Sequence, residues 1–392
     1  MDRRRVRFGR GGGRGTAAAV TALAALAVAV PAQAAVTPEG AAGGTCKPSV
    51  TILQSVPPGT GGPDIGGYGT RVNDIGRFGL AVGASRNVPV YWTGRRVHRV
   101  PLPEGFAGGT VEAVNRYGLM VGTIRKAGET RAFSYRPGAT AVTLLPGGGH
   151  AADVNDRGHI VGHRDVPDGR SVGLEWVGST LRRELAVPAH VRVAEVTAIN
   201  NAGRIVGHGD GVQDEEYGYN TALLWSADPA APATELPPTY PGDTYSHYEP
   251  SEIDEHGRIV GSYGFSRHDS GNGTTWAPPY AEHRDVPNLG ERTQGSLEDT
   301  SPTTGVSVGV AWDSIIVGPW PPETAPPRQA QYWPGSGPML ALPRLVPDGH
   351  SAAYAVTDRD RVGGQAVNAA GMQPVIWNCA SKQAYLPTVE TP

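Results

Sequence analysis

His163 and His208 each follow a Val-Gly pair directly, and Asp165 and Asp210 come two residues later. Imidazole and carboxylate at that spacing can share a metal ion or trade a proton, since each tunes the other. The same residues also read as one polar-tolerant position at the end of a repeated strand, the simpler account. Asp210, Asp214, Glu215 and Glu216 form an acidic cluster of the kind that Ca2+ takes from flexible loops. Their spacing fits no calcium loop, and a solvated charge run explains them, so no metal is assigned. Tyr217, Tyr219, Tyr240, Tyr245, Tyr248, Tyr263 and Trp320 stand in polar segments. There they either pack loops or stack on sugar rings and anchor a protein partner. Tyr217, Tyr219, Tyr245, Tyr263 and Trp320, with His163 and His208, are the candidate ligand-binding set. The chain has no His-Glu-x-x-His, Gly-x-Ser-x-Gly, phosphate loop or Cys-x-x-Cys, so no catalytic residue and no cofactor is assigned.

The elements that must position these residues come from a repeat. Asp153-Val154-Asn155-Asp156-Arg157-Gly158-His159-Ile160-Val161-Gly162 is two short apolar runs around a polar turn ending in glycine, a hairpin signal. Asn155 can accept hydrogen bonds from its own turn, and Gly158 can take the positive φ that closes it. The repeated Asn and Asp of such turns (Asn115, Asn155, Asn200, Asp254) are thereby explained locally and not as a ring of ligands. Aligned on the closing Val-Gly, copies end at Gly83, Gly122, Gly162, Gly207, Gly261, Gly318 and Gly364. The copy ending at Gly318 lacks both turn Asn and turn Gly, and the last puts Asp360 where the turn glycine belongs. After each comes an aromatic residue (Trp92, Tyr135, Trp176, Trp225, Trp276, Trp333, Trp377) and then an apolar-Pro pair, from Leu102-Pro103 to Leu386-Pro387. A repeat of this length built from strands is the mark of a propeller or solenoid. The reading is all-β, a seven-bladed β-propeller with four antiparallel strands per blade, the aromatics packing blade to blade.

Residues 1–34 read as a secretory signal peptide: arginines, an apolar run from Thr16 to Val30, then Pro31-Ala32-Gln33-Ala34. Residues 35–45 read as a disordered linker, 46–387 as the propeller and 388–392 as a tail. The whole chain carries a formal charge of −3, and removing six arginines and Asp2 leaves 28 basic against 36 acidic residues, −8. That charge argues against nucleic acid and anionic membranes, and no run approaches the ~18 apolar residues of a spanning helix. Arginine, alanine, glycine and proline usage points to a bacterial exoprotein. Cys46 precedes an orphan outer strand, Val50 to Val56, and Cys379 sits just before the equivalent strand of the last repeat. In an exported chain two such cysteines are expected to pair and clasp the ring, against the readings of free thiols or a metal site.

With the repeat laid out, Ile/Val-Asn-x-x-Gly-x-Ile-Val-Gly followed by an Ala-aromatic strand and Leu-Pro resembles the HAF family of extracellular repeats, over Gly67 to Pro387. Arg131-Ala132-Phe133 is the nearest match to the family's His-Ala-Phe triplet, and Thr221-Ala222-Leu223-Leu224-Trp225 is a looser one. The resemblance implies secretion and a propeller-like fold; it carries no catalytic residue. Long second connections and crossovers place irregular chain at one end of the disc above blades four to six, where loops on a rigid scaffold hold ligands. The expected function is an extracellular binding module or scaffold for a protein or glycan. Two other readings stand beside it: a polysaccharide hydrolase or lyase using His163, His208, Tyr217 and Tyr219, and a purely structural exoprotein. A closed ring needs no second copy to cover its edges, so a monomer is expected.

Overall fold

The computed structural model describes residues 46–62, 69–166, 170–192, 194–210, 220–238, 247–264, 271–313 and 327–387. They form seven four-stranded antiparallel sheets, each a meander, with the first strand of each innermost around a common axis. The inner strands are Arg71–Ile75, Gly108–Val114, His150–Val154, Glu195–Ile199, His247–Ile253, Gln294–Thr300 and Ser351–Thr357. Blade 7 takes its outer strand from the chain start: Ser49–Ile52 pairs with Gly371–Asn378, Val50 facing Trp377. Cys46 and Cys379 are disulfide-bonded beside that pairing, their Cα atoms 5.9 Å apart across 333 residues of sequence. The clasp is thus as the sequence suggests, and so is the orphan strand, which runs from Ser49 to Ile52 and not on to Val56. Among the described residues no helix is long and apolar enough to cross a membrane.

The Val-Gly pair has a steric cause that sequence reading leaves unstated. Each inner strand carries a β-bulge opposite the glycine of the second strand, at 72/74, 111/113, 151/153, 196/198, 250/252, 297/299 and 353/355. A Cβ at Gly83, Gly122, Gly162, Gly207, Gly261, Gly309 or Gly364 would lie 1.9–2.2 Å from an inner-strand carbonyl oxygen. Only glycine admits that approach. The seven glycines correct the reading of repeat six. Its Val-Gly is Val308-Gly309, not Val317-Gly318, and Gly318 lies outside the described residues. The turn there, Ser301 to Gly305, is one residue longer than Asn-x-x-Gly, with Ser301 in the asparagine's place. Asp360 does stand in for a turn glycine, at φ 58°.

Seven apolar clusters fill the seven seams, each mixing adjacent blades. Ala198 and Val206 of blade 4, for example, pack with Tyr248, Ile259 and Trp276 of blade 5. Trp92, Trp176, Trp225, Trp276 and Trp377 are fully buried there. Their indole N–H groups donate to Gln54, Pro146, Ala186, Pro237 and Pro343, carbonyls just outside the fourth strand of the preceding blade. A buried Trp needs such an acceptor, so each indole sets the spacing of one seam as well as filling it. Trp333 faces Ser307 in register, is only half-buried and donates locally to Gly337. Leu386-Pro387 does not end a strand of blade 7, whose outer position is already taken. Tyr385 instead makes a single bridge to Ala341, on the edge of blade 6.

Candidate functional site

Around the axis, at the end of the ring where the short first turns lie, is a cavity of about 890 Å3 lined by all seven blades. Its deepest ring is the bulged residues, among them Asn73, Glu112, Thr197, Glu298 and Tyr354. Asn73 donates to Glu112 (2.9 Å) and accepts from Arg71 (2.7 Å), whose guanidinium lies over the Tyr354 ring at 5.1 Å. One residue nearer the turns stand Asp74, Asp153, Glu252 and Asp299 in blades 1, 3, 5 and 6, with Ala113, Ala198 and Ala355 in blades 2, 4 and 7.

This alternation solves a backbone problem. The next residue of every inner strand has an N–H with no ladder partner, since the inner strand is a sheet edge and that N–H points away from the second strand. Asp74 accepts from Ile75 (2.5 Å) and, across the seam, from Val114 (2.7 Å). Asp153 accepts from Val154 (2.6 Å) and Ile199 (2.8 Å), and Asp299 from Thr300 (2.7 Å) and Val356 (2.5 Å). Glu252 takes only its own neighbour, Ile253 (2.9 Å), because Asp299 already serves the next blade. Four carboxylates thereby satisfy seven N–H groups, and an alanine follows each acid that reaches across. Sequence reading missed this set. Its signal is an acid two residues before the turn Asn or Asp, plain in Asp153-Val154-Asn155 and Glu252-Ile253-Asp254.

Enclosure raises the proton affinity of these groups even though backbone N–H bonds oppose it. Burial pushes Asp74 up to about 6 and Asp153 up to about 7. It holds Glu252 and Asp299 well above the usual carboxylate range, where the neighbouring carboxylates push further in the same direction. Glu112 and Glu298 are raised for the same first reason, desolvation. The cavity lining holds nine carboxylates against four arginines. Yet among the described residues no three His, Cys, Asp or Glu side chains are placed to hold a metal ion. The carboxylates surround the cavity without converging on a point, an arrangement suited to a cation with a body of its own.

At the mouth, the turn asparagines do more than close hairpins. The Asn155 side-chain oxygen accepts from Arg157 and His159 within its turn, while its Nδ2 donates to the Asn200 carbonyl (3.1 Å). Asn115 donates likewise to Asn155, and Asn200 to Asp254. A second relay links Arg116 to Asp156 (2.7 Å), Asp156 to Asn201, and Asn201 to Glu255.

The residues picked out by sequence fall elsewhere. Tyr217, Tyr219, Tyr240, Tyr245, Trp320 and the acids 214–216 lie outside the described residues, as do 1–45 and 388–392. Tyr263 is buried in the seam of blades 4 and 5, stacked on Tyr248 at 6.0 Å with its hydroxyl on Asp285 (3.1 Å). His163 stacks on His150 at 4.6 Å, and burial lowers its pKa to about 4, with His150 and His208 adding to the effect. Asp165 lies nearer His150 (3.9 Å), and His208 sits 3.7 Å from Glu195. Asp165 thus pairs with His150 while its charge still acts on His163, against the effect of burial. Glu175, a buried carboxylate on His159 (2.7 Å), is saturated by Arg182 and Arg183 and serves blade 3 structurally.

No family model matches the chain, and no curated protein sequence matches it. Solved propellers do. The β-propeller domain of the Trilobed protease from Pyrococcus furiosus, described as having an open velcro topology, is 9% identical with a TM-score of 0.51. The match covers 83% of this chain and 100% of that one. A structure of prolyl endopeptidases is 10% identical with a TM-score of 0.50, covering 80% of this chain and 49% of that one. At such identities the likeness is one of fold alone: this chain is a seven-bladed β-propeller, its ring closed by the first strand and the disulfide.

Proposed function

We propose that this propeller is a secreted, non-catalytic binding module of the kind its HAF-like repeat suggests, holding an extracellular protein or glycan. The axial cavity carries this reading. It is pre-formed, its walls come from seven blades, and the acids nearest its mouth are tied to backbone N–H groups, so little order is lost when a ligand enters. The long connections of blades four to six, most of which lie outside the described residues, are a second candidate for the same role.

Incubating residues 35–392 with insoluble cell-wall and plant polysaccharides, then assaying the supernatant for protein and sugar, tests it. The expected result is no released sugar, and depletion of the protein assigns a glycan as ligand. Released sugar overturns the reading in favour of the hydrolase or lyase, with His163, His208, Tyr217 and Tyr219 as the first residues to replace.

A further inference from the structure

The repeat supplies its own control for what a turn requires. Two residues after the position held by Asn in the turn, blades 3, 4, 5 and 7 carry Arg157, Ala202, His256 and Arg359. The hairpin therefore asks for no apolar side chain there. Blades 1 and 2 nevertheless carry Phe78 and Tyr117, 83% and 63% exposed, the two most exposed large hydrophobic residues among those described. Phe78 holds this place at φ 61°, a conformation that favours glycine or asparagine, and it borders the axial cavity. Arg77 lies over the Phe78 ring at 4.8 Å and Arg116 over Tyr117 at 5.5 Å, leaving the outer faces open. Arg116 is neutralised by Asp156 at 2.7 Å. Aromatics left this exposed, one of them strained and bordering the cavity, bring nothing to folding that alanine or arginine does not, and are the usual anchors of a protein contact.

Charge chooses the occupant. An aromatic shoulder beside a cavity of nine carboxylates and four arginines complements an apolar side chain next to a cation. A Lys or Arg stem is thin and long enough to enter along the axis, and its charge offsets carboxylates that are costly to ionise unpaired. We propose that the short-turn face of blades 1 and 2 docks a protein partner, which lays an apolar side chain on Phe78 and Tyr117 and sends a Lys or Arg into the axial cavity. This rests on the binding-module reading and names its partner.

The test pans a random dodecapeptide display library on residues 35–392, then measures the winning synthetic peptides by fluorescence anisotropy. Two variants accompany the wild type. Phe78→Asn with Tyr117→Ala installs residues suited to those turns, and Glu252→Gln keeps the oxygen that accepts from Ile253. Enriched peptides are expected to carry Lys or Arg within two residues of an apolar residue, and to lose about tenfold or more in affinity on either variant. Replacing the peptide's cation by norleucine should have the same effect. Peptides without a cation, undiminished binding to both variants, or no enrichment overturn the proposal. If polysaccharide depletion persists on the Phe78/Tyr117 variant, the binding module stands and only this surface falls; sugar release removes both.

Discussion

The two ends of one side-chain amide hold different things. Asn155 uses its oxygen to close its own turn and its nitrogen to reach the next blade, so a local reading of the motif explains only half of it. Blade 5 shows the separation naturally: Asp254 keeps the turn bonds to His256 and Arg258 but has no amide hydrogen to pass on. Asn155→Asp should therefore cost about 1 kcal/mol or more, since it removes one seam hydrogen bond and sets a carboxylate oxygen against the Asn200 carbonyl. Asn155→Ala should cost about 2 to 4 kcal/mol, since it also strands two turn N–H groups in a buried site. Urea unfolding of both variants decides this; equal costs would mean that the two turn bonds add nothing beyond the relay, and an unchanged stability of Asn155→Asp would mean that the relay adds nothing. The hairpin was legible because a turn writes its chemistry into adjacent residues. The relay was not, since its partners are 40 to 54 residues apart.

At the level of strands, legibility followed the steric rule that each repeat obeys. Six of the seven second-strand glycines lie where the periodicity puts them. The seventh was hidden because Ser301 replaces asparagine, the turn gains a residue, and a second Val-Gly follows at Val317-Gly318. Register, which a count of residues cannot see, identifies Gly309 through its clash with the Ser296 carbonyl. Ring closure was readable from an unpaired strand and two cysteines, because closing a ring leaves a strand orphaned at one end of the sequence. The clasp spans 333 residues, so its chain-entropy contribution is large, about 6 kcal/mol. Cys46→Ser with Cys379→Ser should lower stability by an amount of that order. Amides of Thr51 and Leu53, which face the neighbouring strand, should then exchange faster than those of the other blades, because Ser49–Ile52 joins its sheet along Gly371–Asn378 alone. Hydrogen exchange that stays uniform across the seven blades would show that strand pairing alone keeps the ring closed.

The whole molecule carries two buried titrating systems at opposite ends of the ring, and they pull stability in opposite directions. Asp74 and Asp153 bind protons more tightly folded, at about 6 and about 7, than unfolded, near 3.9. Their stabilising effect is complete below about pH 4 and is lost as pH rises through those values. His163 titrates at about 4 when folded against about 6.5 unfolded, so its contribution is present above about pH 6.5 and is lost as pH falls toward 4. Between pH 4.5 and 7 the axial carboxylates outnumber the histidine, and melting temperature should fall as pH rises. His163→Gln should steepen that fall and Asp153→Asn should flatten it, which thermal melts across the range will check. A cation in the axial cavity reverses the sign at that end, since it favours the ionised carboxylates and so expels their protons. Binding of a Lys-bearing peptide should therefore tighten from pH 6 to pH 8 and release protons, measurable by calorimetry in buffers of different ionisation enthalpy. A peptide held elsewhere on the ring would bind without proton release, and its affinity would not follow the carboxylates.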